Sequence, residues 1–423
     1  MKTIAAILLG KLILFLSRFF KLGGGSAAPG LYALKIDKNL VEQLAGQIPK
    51  TVIVTGTNGK TTTAKILDHF VKENRIKIIR NSTGSNLERG LASTLISHTD
   101  FLGNLKNVDL AIWELDEAAF NLLAPKLNPD MVVFLNAFRD QLDRYGEVDT
   151  VVANWCKSLK RLKKDTTVVI NGDDGHTASL KNYSAGETIT FGLQNYKIAG
   201  EKNATVTSLK LDIEAKDIKN NGLSGTQFNF LNHQVKLPIP GIYQIYNFLA
   251  ASIVAQKLGV KTDKIVKSIV NFSAAFGRVE KVTLQTGQEV FILLIKNPVG
   301  ATQVFQTISP NLSKDDVLLI ALNDNLADGT DVSWIWDGDF ELLDKPVSTI
   351  IISGKRASDL AVRLKYAGLN QAKFEIEPDL TAAFDKVKTS QGKVFVLPTY
   401  TAMLDLQNLL AKKGIKKHYW RET

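Results

Sequence analysis

The stretch Thr55-Gly56-Thr57-Asn58-Gly59-Lys60-Thr61-Thr62-Thr63 carries the strongest indication of the fold. It follows an apolar, β-branched run, Thr51-Val52-Ile53-Val54, and precedes residues 64–71, whose apolar side chains have helical spacing. A strand, a glycine-rich turn and a helix in this order are the context of a phosphate-binding loop. The sequence therefore predicts an α/β domain with a polyphosphate site at the end of its first strand.

The residue types of this loop suit that role. Glycines allow backbone N–H groups to surround a polyphosphate at the positive end of a helix. Lys60 would reach the β- and γ-phosphates, and the Thr61 hydroxyl would hold Mg²⁺. The general pattern has a glycine six residues before the lysine, where this chain has Val54. A chance Gly-Lys turn on a surface loop would not account for the flanking strand and helix. The expected phosphate-binding residues are Gly56, Thr57, Asn58, Gly59, Lys60, Thr61 and Thr62.

Length and composition indicate a folded chain of about two or three domains. Of the 423 residues, 45% are hydrophobic and 22% are charged, which is typical of a globular protein. The net charge of +10 favours anionic partners, such as a nucleotide, a phospholipid headgroup or an acidic substrate. No basic cluster is interleaved with aromatic residues, so a nucleic-acid partner is not expected.

Cysteine and histidine usage narrows the chemistry further. Cys156 is the only cysteine, so the chain can form no internal disulfide and no cysteine metal site, and we expect no zinc. The five histidines include no pair at metal-ligand spacing. Cys156 lies in a predicted helix, where it is expected to be a small core residue. This composition predicts a cytoplasmic protein.

The first 21 residues are very apolar but too interrupted for a membrane span. The longest apolar runs, residues 4–9 and 12–16, are far shorter than the about 18 residues that a span requires. On a helical wheel the remaining side chains form one stripe, which predicts an amphipathic helix with a narrow polar face. This helix either packs on the following domain or lies at a membrane surface. The polar stripe contains Thr3, Gly10, Lys11, Ser17, Arg18 and Lys21.

The rest of the chain alternates strands with helices. Short β-branched runs at 51–54, 108–114, 128–136 and 166–171 predict a doubly wound, parallel sheet. Residues 190–238 lack a helical period and suggest antiparallel strands or an inserted β-region. The predicted fold class is α/β, with a helix and linker at 1–45 that includes a loop at 23–30, and a central P-loop domain at 46–279. A smaller, Rossmann-like domain at 280–423 is expected to have strands near 290–295, 317–322, 349–352 and 394–397.

Five further motifs accompany the loop in chain order. Glu114 ends a predicted strand, and Asn136 is followed by Arg-Asp-Gln-Leu-Asp-Arg at 139–144. Residues 171–174 read Asn-Gly-Asp-Asp, Asn247 precedes a helical Ala-Ala pair, and Arg278 follows a glycine. With the loop, these motifs resemble the ATP-binding domains of the Mur ligase family and of folylpolyglutamate synthetases.

The resemblance implies a ligase in which ATP phosphorylates a carboxylate and an amine then attacks the acyl phosphate. It implies that Thr61 and Glu114 hold Mg²⁺, that Asn136 lies near the γ-phosphate, and that Asn247 lies near the base. Arg278 would approach the phosphates from the domain boundary. Mg²⁺, Lys60 and an arginine would stabilise the negative charge on the transferring phosphoryl group, in a dry cleft closed by the C-terminal domain.

Two departures narrow the resemblance to the MurT branch of the family. Mur ligases carry a nucleotide-sugar-binding domain before the ATP domain, and too few residues precede Gly56 for one. The C-terminal domain usually opens with Asp-x-x-x-Asn-Pro, whereas Leu293 takes the aspartate position before Asn297-Pro298. Residues 324–337, Asp-Asn-Leu-Ala-Asp-Gly-Thr-Asp-Val-Ser-Trp-Ile-Trp-Asp, resemble the MurT segment. Some MurT proteins carry a cysteine zinc ribbon, for which residues 190–238 would be a shortened replacement.

The MurT resemblance implies a partner and a lipid-linked substrate. MurT proteins form a heterodimer with GatD, a class I glutamine amidotransferase, and amidate the α-carboxyl of D-glutamate in lipid II to D-isoglutamine. Cys156 lacks the tight turn and nearby histidine of a glutaminase nucleophile, so a GatD-like chain would release the ammonia. Asp331 would orient the partner's catalytic histidine as the third member of a Cys-His-Asp arrangement. Lipid II would place the protein at the inner face of the membrane.

Two alternatives remain at this stage. The first is a conventional ligase that adds an amino acid to a murein precursor or glutamate to folate, and the productive nucleophile, ammonia or amino acid, would distinguish it. The second is a non-catalytic, nucleotide-gated binding subunit, for which Leu293 is the supporting feature. ATP turnover with acceptor and ammonia would exclude it.

Overall fold

The computed structural model describes residues 2–19, 27–81, 86–140, 148–195, 209–272, 278–387 and 391–416. The side chains of Arg18, Arg278 and Val279 lie outside this description. Within these residues the strands form a nine-stranded sheet and a six-stranded sheet, each covered by helices.

The larger sheet has the strand order β2-β3-β1-β4-β5-β6-β7-β8-β9. Neighbours from β2 to β7 run parallel, and β8 and β9 extend the edge as an antiparallel meander. The inserted β-region predicted at 190–238 is therefore this edge, within the described residues. The strands are β1 (Lys50–Thr55), β2 (Ile78–Arg80), β3 (Leu110–Glu114), β4 (Met131–Phe134), β5 (Thr167–Asn171), β6 (Thr188–Leu193), β7 (Ile213–Asn220), β8 (Thr226–Phe230) and β9 (His233–Leu237).

Helices cover both faces of this sheet. In β1, Val52 and Val54 face one core and Ile53 faces the other, because side chains alternate along a strand. The first core lies under α4 (Lys60–Lys72), α9 (Tyr243–Lys257) and α10 (Thr262–Ser268). The second lies under α1 (Lys2–Phe19), α2 (Ala28–Ile36), α3 (Leu40–Ala45), α5 (Glu88–His98), α6 (Glu117–Leu127) and α7 (Val148–Leu159), followed by the short α8 (Gly175–Ser179). The predicted doubly wound sheet is confirmed.

The N-terminal region contains more helix than the sequence indicated. The predicted end of the loop at residue 30 is wrong, because α2 begins at Ala28. Pro29 lies in the first turn of this helix, where proline is tolerated. Both α2 and α3 contribute side chains to the second core through Ala33, Leu40 and Leu44. No helix in the described part of the chain is long and apolar enough to cross a bilayer.

The smaller sheet has the order β10-β11-β15-β12-β13-β14, in which only the β10–β11 pair is antiparallel. Its two cores lie under α11 and α12 on one face and under α13 and α14 on the other. The predicted second α/β domain is confirmed as a fold class. Its elements are β10 (Arg278–Thr283), β11 (Glu289–Leu293), α11 (Pro298–Ile308), β12 (Val317–Ala321), β13 (Thr349–Ser353), α12 (Ala357–Tyr366), β14 (Phe374–Ile376), α13 (Leu380–Val387), β15 (Val394–Pro398) and α14 (Tyr400–Lys412).

Candidate active site

The candidate site lies at the carboxyl ends of three adjacent strands, β3, β1 and β4. Glu114 ends β3, the glycine-rich loop at 56–59 follows β1, and Asn136 follows β4. The chain order reverses around β1, and ligands of open α/β sheets bind at such a switch point. The parallel sheet thus brings three of the predicted motifs to one edge.

The loop is held in shape by two asparagines. Asn136 Oδ1 accepts a hydrogen bond from the backbone N of Asn58 at 2.7 Å, and its Nδ2 donates to Asn58 O at 3.0 Å. Gly59 has φ 92°, and a Cβ there would lie 2.2 Å from Asn247 Oδ1, so both the backbone angle and the close approach require glycine. Thr63 Oγ1 donates to the same Asn247 oxygen at 3.2 Å. The structure therefore brings Asn136 and Asn247 against the loop.

Lys60 begins α4 and folds back over the loop. Its ammonium donates to the carbonyl of Gly56 and lies 3.9 Å from Glu117 Oε2. Burial lowers the pKa of Lys60, which the Glu117 carboxylate opposes and the Lys296 ammonium reinforces. Thr62, in the same first turn, is buried. A bound anion would therefore stabilise the charged, protonated form of the Lys60 amine.

Thr61 and Glu114 form a pair of oxygen donors beside this lysine. Thr61 Oγ1 donates to Glu114 Oε2 at 2.6 Å. Asn81 holds the backbone of Glu114 with two hydrogen bonds, at 2.9 Å to its N and 2.8 Å to its O. Arg80 Nη1 lies 3.9 Å from Glu114 Oε1. A hydroxyl and a carboxylate are hard oxygen ligands of the kind that Mg²⁺ binds, so the donor set fits the predicted metal.

The C-terminal domain completes the site. Asn58 and Asn297 exchange two side-chain hydrogen bonds of 3.1 Å each, and Asn297 Oδ1 also caps α11 through Gly300 N. Lys296 Nζ lies 2.7 Å from Asp140 Oδ2 and 3.2 Å from Thr57 O. In the described structure Asp140 Oδ1 is buried without a hydrogen-bond partner, which leaves an acceptor at the site. The motifs gave no role to Lys296, although its position directly before Asn297-Pro298 could have indicated one.

A cleft lies between the two domains. Asn58, Asn136 and Asn247 line it from the central domain, and Lys296 lines it from the C-terminal domain. Leu293, the residue in the usual aspartate position, also lines this cleft. The replacement of the usual aspartate by Leu293 therefore makes the wall of the cleft less polar at this position.

The motif at residues 171–174 lies beside the cleft, which Asn171 lines, and supports a neighbouring loop. Asn171 donates to Leu135 O at 2.9 Å, and Asp174 caps α8 and accepts from Ala137 N at 3.1 Å, so this motif supports the loop after β4. The Arg278 side chain lies outside the described part of the structure, so its predicted role stays a prediction. Positions 141–144 of the motif after Asn136 also lie outside the described residues.

Asp331 is exposed on the C-terminal domain. It accepts hydrogen bonds from the N and Oγ of Ser333, at 2.8 and 2.9 Å, which lower the pKa of its carboxyl. The preceding Asp328 ties this segment to the start of α14 by accepting from Thr401 N at 2.7 Å. Asp331 is therefore an exposed, ionised carboxylate on a fixed turn.

Comparison with known proteins identifies the family. The profile of the Mur ligase middle domain matches residues 54–255, and that of the MurT ligase C-terminal domain matches residues 294–403. The MurT subunit of lipid II isoglutaminyl synthase (glutamine-hydrolyzing) from Staphylococcus aureus (strain COL) is 31% identical over 410 residues, covering 90% of this chain and 91% of the relative. The chain belongs to the MurT family.

A second relative agrees with this membership. The corresponding MurT subunit from Streptococcus pneumoniae (strain ATCC BAA-255 / R6) is 31% identical and covers 98% of both chains. Among solved structures, the MurF ligase of Thermotoga maritima in complex with ADP superposes with a TM-score of 0.67 at 16% identity, covering 92% of this chain and 85% of that one. At that identity the likeness shows the fold alone. The MurT resemblance drawn from the motifs is confirmed, and the protein is a MurT-family member with the Mur ligase fold.

Proposed function

We propose that this protein is the ligase subunit of a lipid II isoglutaminyl synthase. It would amidate the α-carboxyl of D-glutamate in lipid II to D-isoglutamine, using ATP and ammonia from a GatD-like glutaminase. The names of the MurT relatives support this activity. The observation that carries it is the meeting of two lysines from different domains at the glycine-rich loop. Lys60 Nζ and Lys296 Nζ lie 3.4 and 3.2 Å from Thr57 O, and the Thr61–Glu114 pair follows Lys60 directly.

The site fits ATP and Mg²⁺. Lys60 and the loop amides would bind the β- and γ-phosphates, and Thr61 with Glu114 would hold the metal. Bound Mg²⁺ supplies positive charge to the phosphate oxygens. The MurF structure with the same fold was solved in complex with ADP, so nucleotide binding is compatible with this fold. Asn247, against Gly59, would define the side of the cleft where the base lies.

The reaction would proceed in two balanced steps. A glutamate carboxylate oxygen attacks the γ-phosphorus, which forms the acyl phosphate and releases ADP. Ammonia then attacks the acyl carbon, inorganic phosphate leaves, and the nitrogen loses a proton. Lys60 and Lys296 would stabilise the negative charge on the transferring phosphoryl group, because preorganised cations in a dry cleft favour the transition state. Closure of the domains would exclude water from the acyl phosphate.

The ammonia is proposed to come from another chain. Cys156 lies half-buried in α7, and burial raises the pKa of its thiol, which disfavours the thiolate that a glutaminase needs. Asp331 is the proposed contact to the partner's catalytic histidine, and its exposed carboxylate is available for that role. Leu326 and Trp336, exposed by 87% and 51%, lie on the same segment and would provide apolar contacts. A lipid-linked substrate would place the complex at the inner face of the membrane.

The test is reconstitution of amidation with a class I glutaminase partner. The purified pair is given lipid II, ATP and Mg²⁺ with either glutamine or ammonium as nitrogen source, and product mass distinguishes the carboxylate from the amide. Amidation with both sources is expected. Incorporation of an amino acid in place of ammonia would establish the conventional ligase instead. Binding of ATP without turnover in the presence of acceptor and ammonia would establish the non-catalytic alternative.

A further inference from the structure

Helix α1 packs on the protein with its polar stripe. Thr3 Oγ1 lies within hydrogen-bond distance of Asp37 Oδ2, at 2.8 Å. Gly10 is buried against α5, where an added Cβ would lie 2.7 Å from Ile96 Cδ1. The side of the helix with the small and polar residues is therefore the side that faces the domain.

The opposite side of α1 exposes large apolar side chains. Six of them are between 39% and 69% exposed, and with 3.6 residues per turn they occupy an arc of roughly 120°. A helix that served only to cover the domain would bury this arc, since burial of apolar surface is what stabilises packing. The residues of this apolar face are Ile4, Leu8, Leu12, Phe15, Leu16 and Phe19.

A neighbouring loop extends this surface. Phe101 and Leu102 are 68% and 71% exposed. Lys11 connects them to α1, because its Nζ donates to Thr99 O at 2.6 Å and lies 5.4 Å from the centroid of the Phe101 ring. The apolar face and this loop therefore form one exposed patch with a basic residue at its edge. Contiguous exposed apolar patches mark interaction sites.

The charge around the patch selects the kind of partner. Residues 1–36 contain no aspartate or glutamate, and Asp100, which precedes Phe101, is paired with Lys106 at 3.7 Å. A second copy of the chain would bring the same positive charges to the interface and would be repelled. An anionic lipid surface attracts such a segment and also accepts apolar side chains at the boundary between headgroups and acyl chains. The basic residues of this segment are Lys2, Lys11, Arg18, Lys21 and Lys35.

We propose that the apolar face of α1, with Phe101 and Leu102, docks into the surface of an anionic phospholipid bilayer. The helix lies in the plane of the membrane, because its polar stripe is fixed to the domain at Thr3, Gly10 and Lys11. The apolar side chains enter the boundary of the acyl chains, and the lysines pair with lipid phosphates. This docking does not depend on the ligase chemistry, but it would place the protein where a lipid-linked substrate is.

The test uses the full chain and vesicles of phosphatidylcholine with or without phosphatidylglycerol. Wild-type protein is expected to sediment with the anionic vesicles and less with the neutral ones. The variant Leu12→Ser/Phe15→Ser should lose binding to anionic vesicles by on the order of 10–100-fold, since two large apolar groups no longer enter the membrane. Its thermal unfolding should be unchanged because both side chains are exposed.

The matched control is Leu122→Ser/Val270→Ser, which replaces side chains of 70% and 51% exposure outside the patch. It should bind vesicles like the wild type. Wild-type binding by Leu12→Ser/Phe15→Ser, or no vesicle binding by the wild-type protein, would overturn the proposal. A dimer that this variant dissociates, without vesicle binding, would assign the patch to a second copy. Ammonia-dependent amidation of a detergent-soluble substrate analogue should persist in the variant, which separates this outcome from a failure of the proposed ligase.

Discussion

Replacing Lys296 with methionine tests whether the C-terminal domain contributes a charge to the proposed ATP site. Its Nζ lies 3.2 Å from Thr57 O, and its charge lowers the pKa of Lys60 by repulsion. A triphosphate between these two ammonium groups would relieve the repulsion and pair with both. Loss of one preorganised contact of this kind costs about 10²–10³ in kcat, or about 2.7–4 kcal/mol. We expect ammonia-dependent amidation by Lys296→Met to fall by that factor.

The same substitution affects stability by a separate route. Lys296 compensates Asp140 at 2.7 Å, and the Asp140 side chain is only 7% exposed. Removing one partner of a fully buried pair costs about 3–5 kcal/mol of unfolding free energy, because the remaining charge is uncompensated. The Lys296 side chain is 27% exposed, so the loss should be smaller than this but larger than the about 0–1 kcal/mol of an exposed pair. The double variant Lys296→Met/Asp140→Asn removes both charges. It should recover the thermal stability of the wild type but not its rate.

The measurements are the initial rate of ammonia-dependent amidation at saturating ATP and the midpoint of thermal unfolding. Lys345→Met, which alters an exposed lysine of the same domain, is the control and should change neither. A wild-type rate in folded Lys296→Met would refute the proposed contact with phosphate. A rate restored in the double variant would show that Lys296 serves only to compensate Asp140.

Three further predictions follow from the site. Glu114→Gln should keep its hydrogen bond with Thr61 but lower the rate of amidation by about 10²–10³-fold with either nitrogen source. Added Mg²⁺ should partly restore the rate, and a rate that does not respond to Mg²⁺ would contradict the metal assignment. Asp331→Asn should lose glutamine-dependent amidation, keep ammonia-dependent amidation and still co-elute with the glutaminase, whereas equal loss with both sources would place Asp331 in the ligase site. Burial lowers the pKa of Lys60, and phosphate binds the protonated form, so ATP affinity should begin to fall with rising pH below the range expected for an ordinary lysine. Calorimetry in the pH range of that fall should detect proton uptake on binding that Lys60→Met lacks, and equal uptake in the two proteins would exclude Lys60 as its source.

The sequence predicted the part of the site that depends on single strands and the turns after them. Glu114 and Asn136 directly follow hydrophobic runs, and in a parallel sheet the carboxyl ends of neighbouring strands share one edge. The register of β1 with β3 and β4 then determines that they meet the loop. Local pattern and sheet geometry were sufficient to bring these residues together.

Contacts between domains and the orientation of α1 could not be predicted in this way. Lys296 is 239 residues from Thr57 and 156 residues from Asp140, so their proximity depends on how the two domains dock. For α1, periodicity shows that the helix has two unlike sides but does not determine which side is buried. The close packing of Gly10 on Ile96 decides it, because a small residue allows the helix backbone to approach α5.

Two ion pairs between the domains differ in solvent exposure, and this difference affects how nucleotide and partner could influence each other. Arg139 pairs with Asp337 at 2.6 Å, but the side chains are 43% and 47% exposed, and such pairs are worth about 0–1 kcal/mol. The pair of Asp140 with Lys296 is better shielded and lies at the proposed phosphate site. A phosphate that draws Lys296 from Asp140 therefore weakens the stronger contact and leaves the weaker one. Asp140 is adjacent in sequence to Arg139, and Asp337, the partner of Arg139, belongs to the segment that carries Asp331. Nucleotide binding at the Asp140–Lys296 pair would therefore act one residue away from the Arg139–Asp337 pair, which connects the central domain to the proposed partner surface. Any resulting change in partner affinity must be matched by an equal change in nucleotide affinity, since binding free energies are reciprocal.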